Sequence, residues 1–125
     1  MNKQEQELFD VPENLEEAIE AFKEMLPEIK RKEIASGQLN IISLHHGPGR
    51  WIRNNWGLWS GSKLQEFFHD LGIRHADDMS GIILESVQRD LRGEEINLDK
   101  QVKKYRDYWK DKGIDPDQIG KENSE

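Results

Sequence analysis

The sequence predicts an all-α fold, a compact bundle of about five to six helices with frayed polar termini. Two observations predict it. Apolar residues recur at helical spacing in five stretches, which are bounded by capping residues and by glycine or proline. In addition, no stretch alternates convincingly between apolar and polar residues as a half-buried strand does. The weakest stretch is 39–44, where Ile41 and Ile42 fit a short strand that would have nothing to pair with.

Asn14 marks the start of the first helix. Together with Glu17, three residues later, it forms a pattern of the capping-box type. The apolar residues that follow at helical spacing are Leu15, Ala18, Ile19, Phe22 and Leu26. Pro27 is expected to end or kink this helix, and a second, highly charged helical piece runs from there to about Ile34.

Ser36 is interpreted as the N-cap of a third helix, which passes through Leu39, Ile42 and His46. The tripeptide Gly47-Pro48-Gly49 predicts a break or sharp kink after it. A glycine-containing loop can also let a phosphate approach backbone N–H groups, but this one lacks the length and spacing of known phosphate-binding loops. We therefore interpret 47–49 as a structural break.

The stretch 51–59 holds three of the four tryptophans and is where large aromatics, an arginine and amides crowd together. On a helical wheel its apolar arc contains Trp51, Ile52, Asn55 and Trp56. Arg53 and Asn54 fall outside this arc. A buried amide needs hydrogen-bond partners, so Asn55 is expected either to tie down a neighbouring loop or to face a ligand cleft. Gly57 is expected to end the helix.

Three further helices are predicted in the rest of the chain. The first has a capping box at Ser62 and Gln65 and ends at Gly72. The second begins with the acidic turn 76–78, and its stripe contains Met79, Ile83, Val87 and Leu91. The third is expected to be capped by Asn97, and its stripe contains Leu98, Val102, Tyr105 and Trp109.

Length and charge predict one domain with uneven electrostatics. We divide the chain into a flexible leader (1–10), a single helical domain (11–113) and a polar C-terminal tail (114–125). The net charge is −7, yet 34–76 carries four Lys/Arg against two Asp/Glu and is the only basic third. No whole face is basic, so a nucleic-acid partner is not expected.

Several classes of protein are excluded by composition. No apolar run approaches the roughly 18 residues of a membrane span, so no membrane association is expected. Residues 1–9 are polar and acidic, unlike a signal peptide. The chain has no cysteine, which excludes disulfides, thiol catalysis and cysteine-based zinc sites. A cytoplasmic location is the expectation that remains.

The titratable residues offer no catalytic or metal-binding pattern. His45, His46, His69 and His75 lack the spacing of zinc ligands, so neither a metal nor another cofactor is expected. Asp77 and Asp78 fit a general acid/base pair, but their place at a helix start favours capping. The serines lack a nucleophile elbow. No catalytic residue is therefore assigned, and a binding protein is favoured over an enzyme.

Four blocks of the sequence resemble an uncharacterised bacterial domain family. They are Val11–Ile19, His46–Trp59 with its core W-I-R-N-N-W-G-L-W, Asp77–Leu84 with D-D-M-S-G-I-I-L, and Tyr105–Lys110. Family members tend to have proline where Ala76 stands and an apolar residue where Pro48 stands. The resemblance implies a domain without an assigned activity and supplies no catalytic residues.

We interpret the chain as a small bacterial binding module that acts through protein–protein contact, in an immunity-like or regulatory role. The candidate binding residues are Arg50, Trp51, Arg53, Asn54, Asn55, Trp59 and His46. The alternative is a small-ligand or anion-binding domain or an enzyme at the same cluster, where the two arginines would clamp a carboxylate or phosphate. A homodimer through an exposed helix stripe is a third alternative. A concave pocket with perturbed titratable groups would favour the small-ligand or enzyme alternative. An exposed aromatic patch would favour protein–protein contact.

Overall fold

The computed structural model describes residues 11–44 and 46–120. Within these ranges the protein contains six α-helices and no strand, which confirms the predicted all-α bundle. The helices are α1 (Leu15–Met25), α2 (Glu28–Ala35), α3 (Pro48–Asn55), α4 (Lys63–Asp70), α5 (Ala76–Leu91) and α6 (Leu98–Asp111). Two 3-10 turns lie at Ile41–Leu44 and Pro116–Gln118. The predicted leader 1–10 lies outside the described residues.

Helix α5 is the centre of the bundle. Helices α1, α2, α3 and α6 and the first 3-10 turn all pack against it. Nine of its sixteen residues are buried, including the consecutive Ile82, Ile83 and Leu84. A helix that is apolar on more than one side must be covered on more than one side, which is why α5 is surrounded. No helix in the described ranges has both the length and the apolar character needed to cross a membrane.

The predicted caps of α1 and α4 are confirmed. Asn14 Oδ1 accepts a hydrogen bond from the Glu17 N–H (2.9 Å), and Ser62 Oγ accepts one from the Gln65 N–H (3.1 Å). The side chain of the second residue in each capping box bonds to a residue that precedes the N-cap. The Glu17 carboxylate accepts from the N–H of Glu13 (3.1 Å), and Gln65 Nε2 donates to the carbonyl of Leu58 (2.9 Å). Each cap therefore also fastens the chain that precedes its helix.

One predicted cap is wrong, and another is right in its position but not in its hydrogen bond. Ser36 is the C-cap of α2 and starts no helix, because Gly37 follows in a left-handed conformation (φ +87°). In the described residues up to Leu44 the chain then forms the 3-10 turn, whose first N–H, from Ile41, donates to Gln88 Oε1 (2.8 Å). Asn97 does precede α6, but it is itself left-handed (φ 53°) and its side chain makes no capping hydrogen bond.

The described part of the predicted tail, 114–120, is held against the domain. Pro116 is buried, and Arg106 Nη1 donates to both Asp117 Oδ1 and the carbonyl of Gly72 (2.8 Å each). Arg74 Nε donates to the carbonyl of Ile119 (2.8 Å). Through these contacts the described residues 114–120 pack against the helices.

Replacing Trp56 with alanine should destabilise the domain strongly. Trp56 is 3% exposed, as the helical wheel predicted, and truncating a buried tryptophan costs about 3–5 kcal/mol. Trp59→Ala is the matched control, because Trp59 is 57% exposed and its loss removes little packing. Urea denaturation of the two variants should show a much lower midpoint for Trp56→Ala alone. Equal midpoints would contradict the burial of Trp56.

Candidate functional site

Arg53 lies between α3 and α5 and is only 9% exposed. Its Nε is 3.2 Å from Asp77 Oδ1, and its Nη1 donates a hydrogen bond to Ser80 Oγ (2.8 Å). The helical wheel placed Arg53 outside the buried arc, and this is wrong. The wheel takes the apolar arc as the buried side of the helix, whereas a guanidinium outside that arc can be buried when a carboxylate and a hydroxyl receive its N–H groups.

Asn55 is exposed, so the expectation of a buried amide is wrong as well. Its Nδ2 donates to the carbonyl of Trp51 in its own helix (2.9 Å), which satisfies the amide locally. His46, Arg50 and Asn54 are also exposed, in agreement with a surface role. Binding by these residues stays a prediction.

The predicted cluster does not form one site, because its tryptophans line different cavities. Trp51 packs edge-on against Trp56 at 5.9 Å and faces a cavity between α1 and α3. Trp59 instead packs edge-on against His75 at 6.0 Å, at the start of α5. Gly57, left-handed at φ +71°, ends α3 as predicted and lets the chain turn between Trp51 and Trp59.

His75 caps α5, a role that we assigned to Asp77 and Asp78. Its Nδ1 accepts a hydrogen bond from the Asp77 N–H (3.0 Å). The capping prediction for the two aspartates is therefore wrong. Asp77 pairs with Arg53, and Asp78 Oδ2 accepts a hydrogen bond from Trp109 Nε1 (2.7 Å). Both carboxylates hold neighbouring helices against α5.

Four rings form a continuous surface that we call the aromatic face: Trp59, His75, Tyr108 and Trp109. The rings of His75 and Trp109 are stacked at 5.6 Å with an interplanar angle of 25°. Trp59 and Tyr108 flank this pair edge-on, at 6.0 and 5.2 Å. Trp59 and Tyr108 are 57% and 51% exposed, so much of the face is open to solvent.

A half-open cavity of about 400 Å³ adjoins the aromatic face. It is lined by His75, Asp77, Asp78, Lys104, Tyr105, Tyr108 and Trp109. Tyr105 lies directly over Gly81 of α5, where a β-carbon would overlap its hydroxyl. Burial raises the pKa of Tyr105 to about 12, and the negative charges of Asp78 and Glu85 add to the shift.

A second cavity, of about 440 Å³, lies on the other side of His75. It is lined in part by Trp59, His69, Arg74 and Ile119. Burial lowers the pKa of His69 below its usual value, and the charge of Arg74 lowers it further. In the described ranges no three His, Asp or Glu side chains converge closely enough to hold a metal ion; His45 lies outside those ranges.

Residues 11–91 match the family described as Domain of unknown function (DUF6794). The chain belongs to this family. This confirms the resemblance to an uncharacterised domain family. No curated protein and no solved structure matches the chain significantly. The DUF6794 match includes Arg53, Asp77 and Ser80, whereas the predicted similarity over 105–110 lies beyond its end. Helix α6 and its three aromatic rings therefore lie outside the matched region.

Sequence reasoning missed most of the aromatic face. The sequence places Tyr105 and Trp109 in the apolar stripe of their helix and gives no indication that His75 is a cap. One signal was present: Tyr105 and Trp109 lie four residues apart on α6, and Asp78 and Gly81 three apart on α5, so each pair shares a helix face. Nothing in the sequence showed that the two faces meet.

Arg53→Ala should destabilise the domain, because it leaves Ser80 and Asp77 without their partner. Asp77 is half-exposed and can be rehydrated, so we expect a loss of about 1–3 kcal/mol in unfolding free energy. Arg50→Ala removes the same side chain from an exposed position of the same helix and should change little. Chemical denaturation of both variants tests this, and an unchanged Arg53→Ala would show that the ion pair contributes no stability.

Ionisation of Tyr105 should occur well above the ordinary tyrosine pKa of 10.0, at about 12. The folded state keeps a proton that the unfolded chain loses, so this contribution to stability is complete below pH 10 and declines as pH rises towards 12. The difference in phenolate absorbance between the wild type and Tyr105→Phe isolates this group. A difference curve centred near 10 would contradict its burial.

Proposed function

We propose that this domain is a binding module that acts through protein–protein contact, with the partner docked on the aromatic face. The observation that carries the proposal is the exposure of Trp59 and Tyr108 on either side of the His75–Trp109 stack. Tryptophan and tyrosine are the residues most enriched among those that dominate binding energy in protein interfaces. A contiguous exposed patch of such rings is uncommon on a monomer without a partner.

The aromatic face is held in place before any partner arrives. Trp109 is fixed by its hydrogen bond to Asp78 and by the stack with His75, and His75 is fixed by capping α5. Side chains that are already ordered lose little conformational entropy when a partner docks. This rigidity supports a role in recognition.

The carboxylates beside the cavity support binding over catalysis. Asp77 pairs with Arg53, and Asp78 accepts the Trp109 N–H, so each is engaged in holding helices together. A general acid or base needs a proton-transfer path to a bound substrate, and these two are committed to internal partners. A regulatory or immunity-like role in the bacterial cytoplasm accords with an acidic chain without cysteine.

The test is a quantitative pull-down from the native host with wild-type protein, Trp59→Ala and Tyr108→Ala. A true partner should be recovered at least about tenfold less with either variant, since loss of an interface hot spot costs about 2 kcal/mol or more. Melting temperatures should stay close to the wild type because both side chains are largely exposed. Met25→Ala is the control, as Met25 is 44% exposed and lines a different cavity.

Two results would argue against this surface. If every captured protein is recovered equally with Trp59→Ala and Tyr108→Ala, the aromatic face is not the docking site. If the partner is lost instead with the double variant Arg50→Ala/Asn54→Ala, the exposed side of α3 is the binding surface. That outcome would favour the residues first singled out from sequence.

A further inference from the structure

A groove of about 570 Å³ lies between α1, α4 and the start of α6, apart from the aromatic face. Its apolar lining consists of Leu15, Ile19, Phe67, Ile96 and Leu98. Leu15 and Ile19 keep 6% and 7% of their surface exposed, and the other three are half-buried. An apolar side chain that docks in the groove can therefore contact the exposed parts of these five residues.

The rim of the groove is acidic. It carries Glu16, Glu20 and Asp90, and none of the described residues that line it is a lysine or arginine. The nearby Lys23 already binds two of these carboxylates, at 2.6 Å from Asp90 and 3.3 Å from Glu20. The hydrogen bond to Asp90, aided by that to Glu20, raises the pKa of Lys23 above its usual value. Because one lysine neutralises only one of the three carboxylate charges, the rim keeps a net negative charge.

The negative charge continues beyond the groove along α1. Helix α1 contains four glutamates and a single lysine. Charges of one sign on one face attract ligands of the opposite sign and repel anions such as phosphate groups and acidic membranes. An apolar lining and an acidic rim together require a ligand that is both apolar and cationic.

We propose that this groove docks a basic amphipathic segment of a partner protein. The segment places a large apolar side chain against Phe67 and Leu98, and a lysine or arginine beside Glu16. It constitutes a second recognition surface, so the domain can bind two segments or two partners at once. Helix α6 contributes to both surfaces, with Leu98 at its start and Trp109 near its end.

The probe is a fluorescein-labelled helical peptide of leucine and lysine with leucines along one face. Fluorescence anisotropy should show saturable binding with one peptide per domain, weakened by added salt. Two matched peptides separate the contributions: one has serine in place of leucine, and the other has glutamate in place of lysine. Neither should bind measurably at the concentration that saturates the leucine–lysine peptide.

Glu16→Lys tests the location on the protein. Reversing one rim charge should weaken binding about fivefold, the effect expected for losing an exposed pair and adding a repulsion. Glu24→Lys makes the same charge change at an exposed position of α1 outside the groove and should stay within about twofold of the wild type. If Glu16→Lys lowers the melting temperature, Glu16→Gln replaces it and should weaken binding about twofold, with Glu24→Gln, which should leave binding unchanged, as its matched control.

Several outcomes would overturn the proposal. They are failure of the leucine–lysine peptide to bind, equal binding of the serine–lysine peptide, and equal weakening by Glu24→Lys. Dimerisation of the free domain that Glu16→Lys abolishes, seen by analytical ultracentrifugation, would make a second copy the occupant. Trp59→Ala should bind the peptide like the wild type, which keeps this test independent of the aromatic face.

Discussion

The buried guanidinium of Arg53 is the interaction on which the arrangement of the domain depends. A charge at this depth is stable only with its partners in place, so Asp77 and Ser80 must sit at one position relative to α3. Gly49 makes room for it, since a β-carbon there would lie 3.3 Å from Arg53 Nη1. The start of α5 is thereby fixed against α3, and the same turn of α5 carries the residues that receive α6.

Helix α6 then connects the two proposed recognition surfaces. Its first half is anchored by Gln101, which is 3% exposed and donates to Ser86 Oγ (3.1 Å) and to the carbonyl of Ile96 (2.9 Å). Its second half is anchored by Trp109 on Asp78. Because a single rigid helix carries both ends, a displacement of α6 would alter the groove and the aromatic face together.

Features set by near neighbours in sequence were predictable, and features set by distant ones were not. The caps at Asn14 and Ser62 each join residues three apart, so the sequence pattern contains the whole interaction. The burial of Arg53 depends on partners 24 and 27 residues away, and the Trp109 hydrogen bond on one 31 residues away. A helical wheel takes the apolar arc of one helix as its buried side, so it exposed Arg53 and buried Asn55, the reverse of what tertiary packing gives.

The contact between Gly81 and Tyr105 constrains how this architecture can vary. Gly81 lies inside the region matched by the family, and Tyr105 lies outside it. Because Gly81 has no side chain, α5 leaves a space there, and Tyr105 of α6 occupies it. A larger residue at position 81 would overlap the Tyr105 hydroxyl, so the Tyr105 side chain and the cavity that it lines would have to rearrange. The hydrogen atom of Gly81 thus keeps room for a tyrosine ring from a helix that lies beyond the family-matched region.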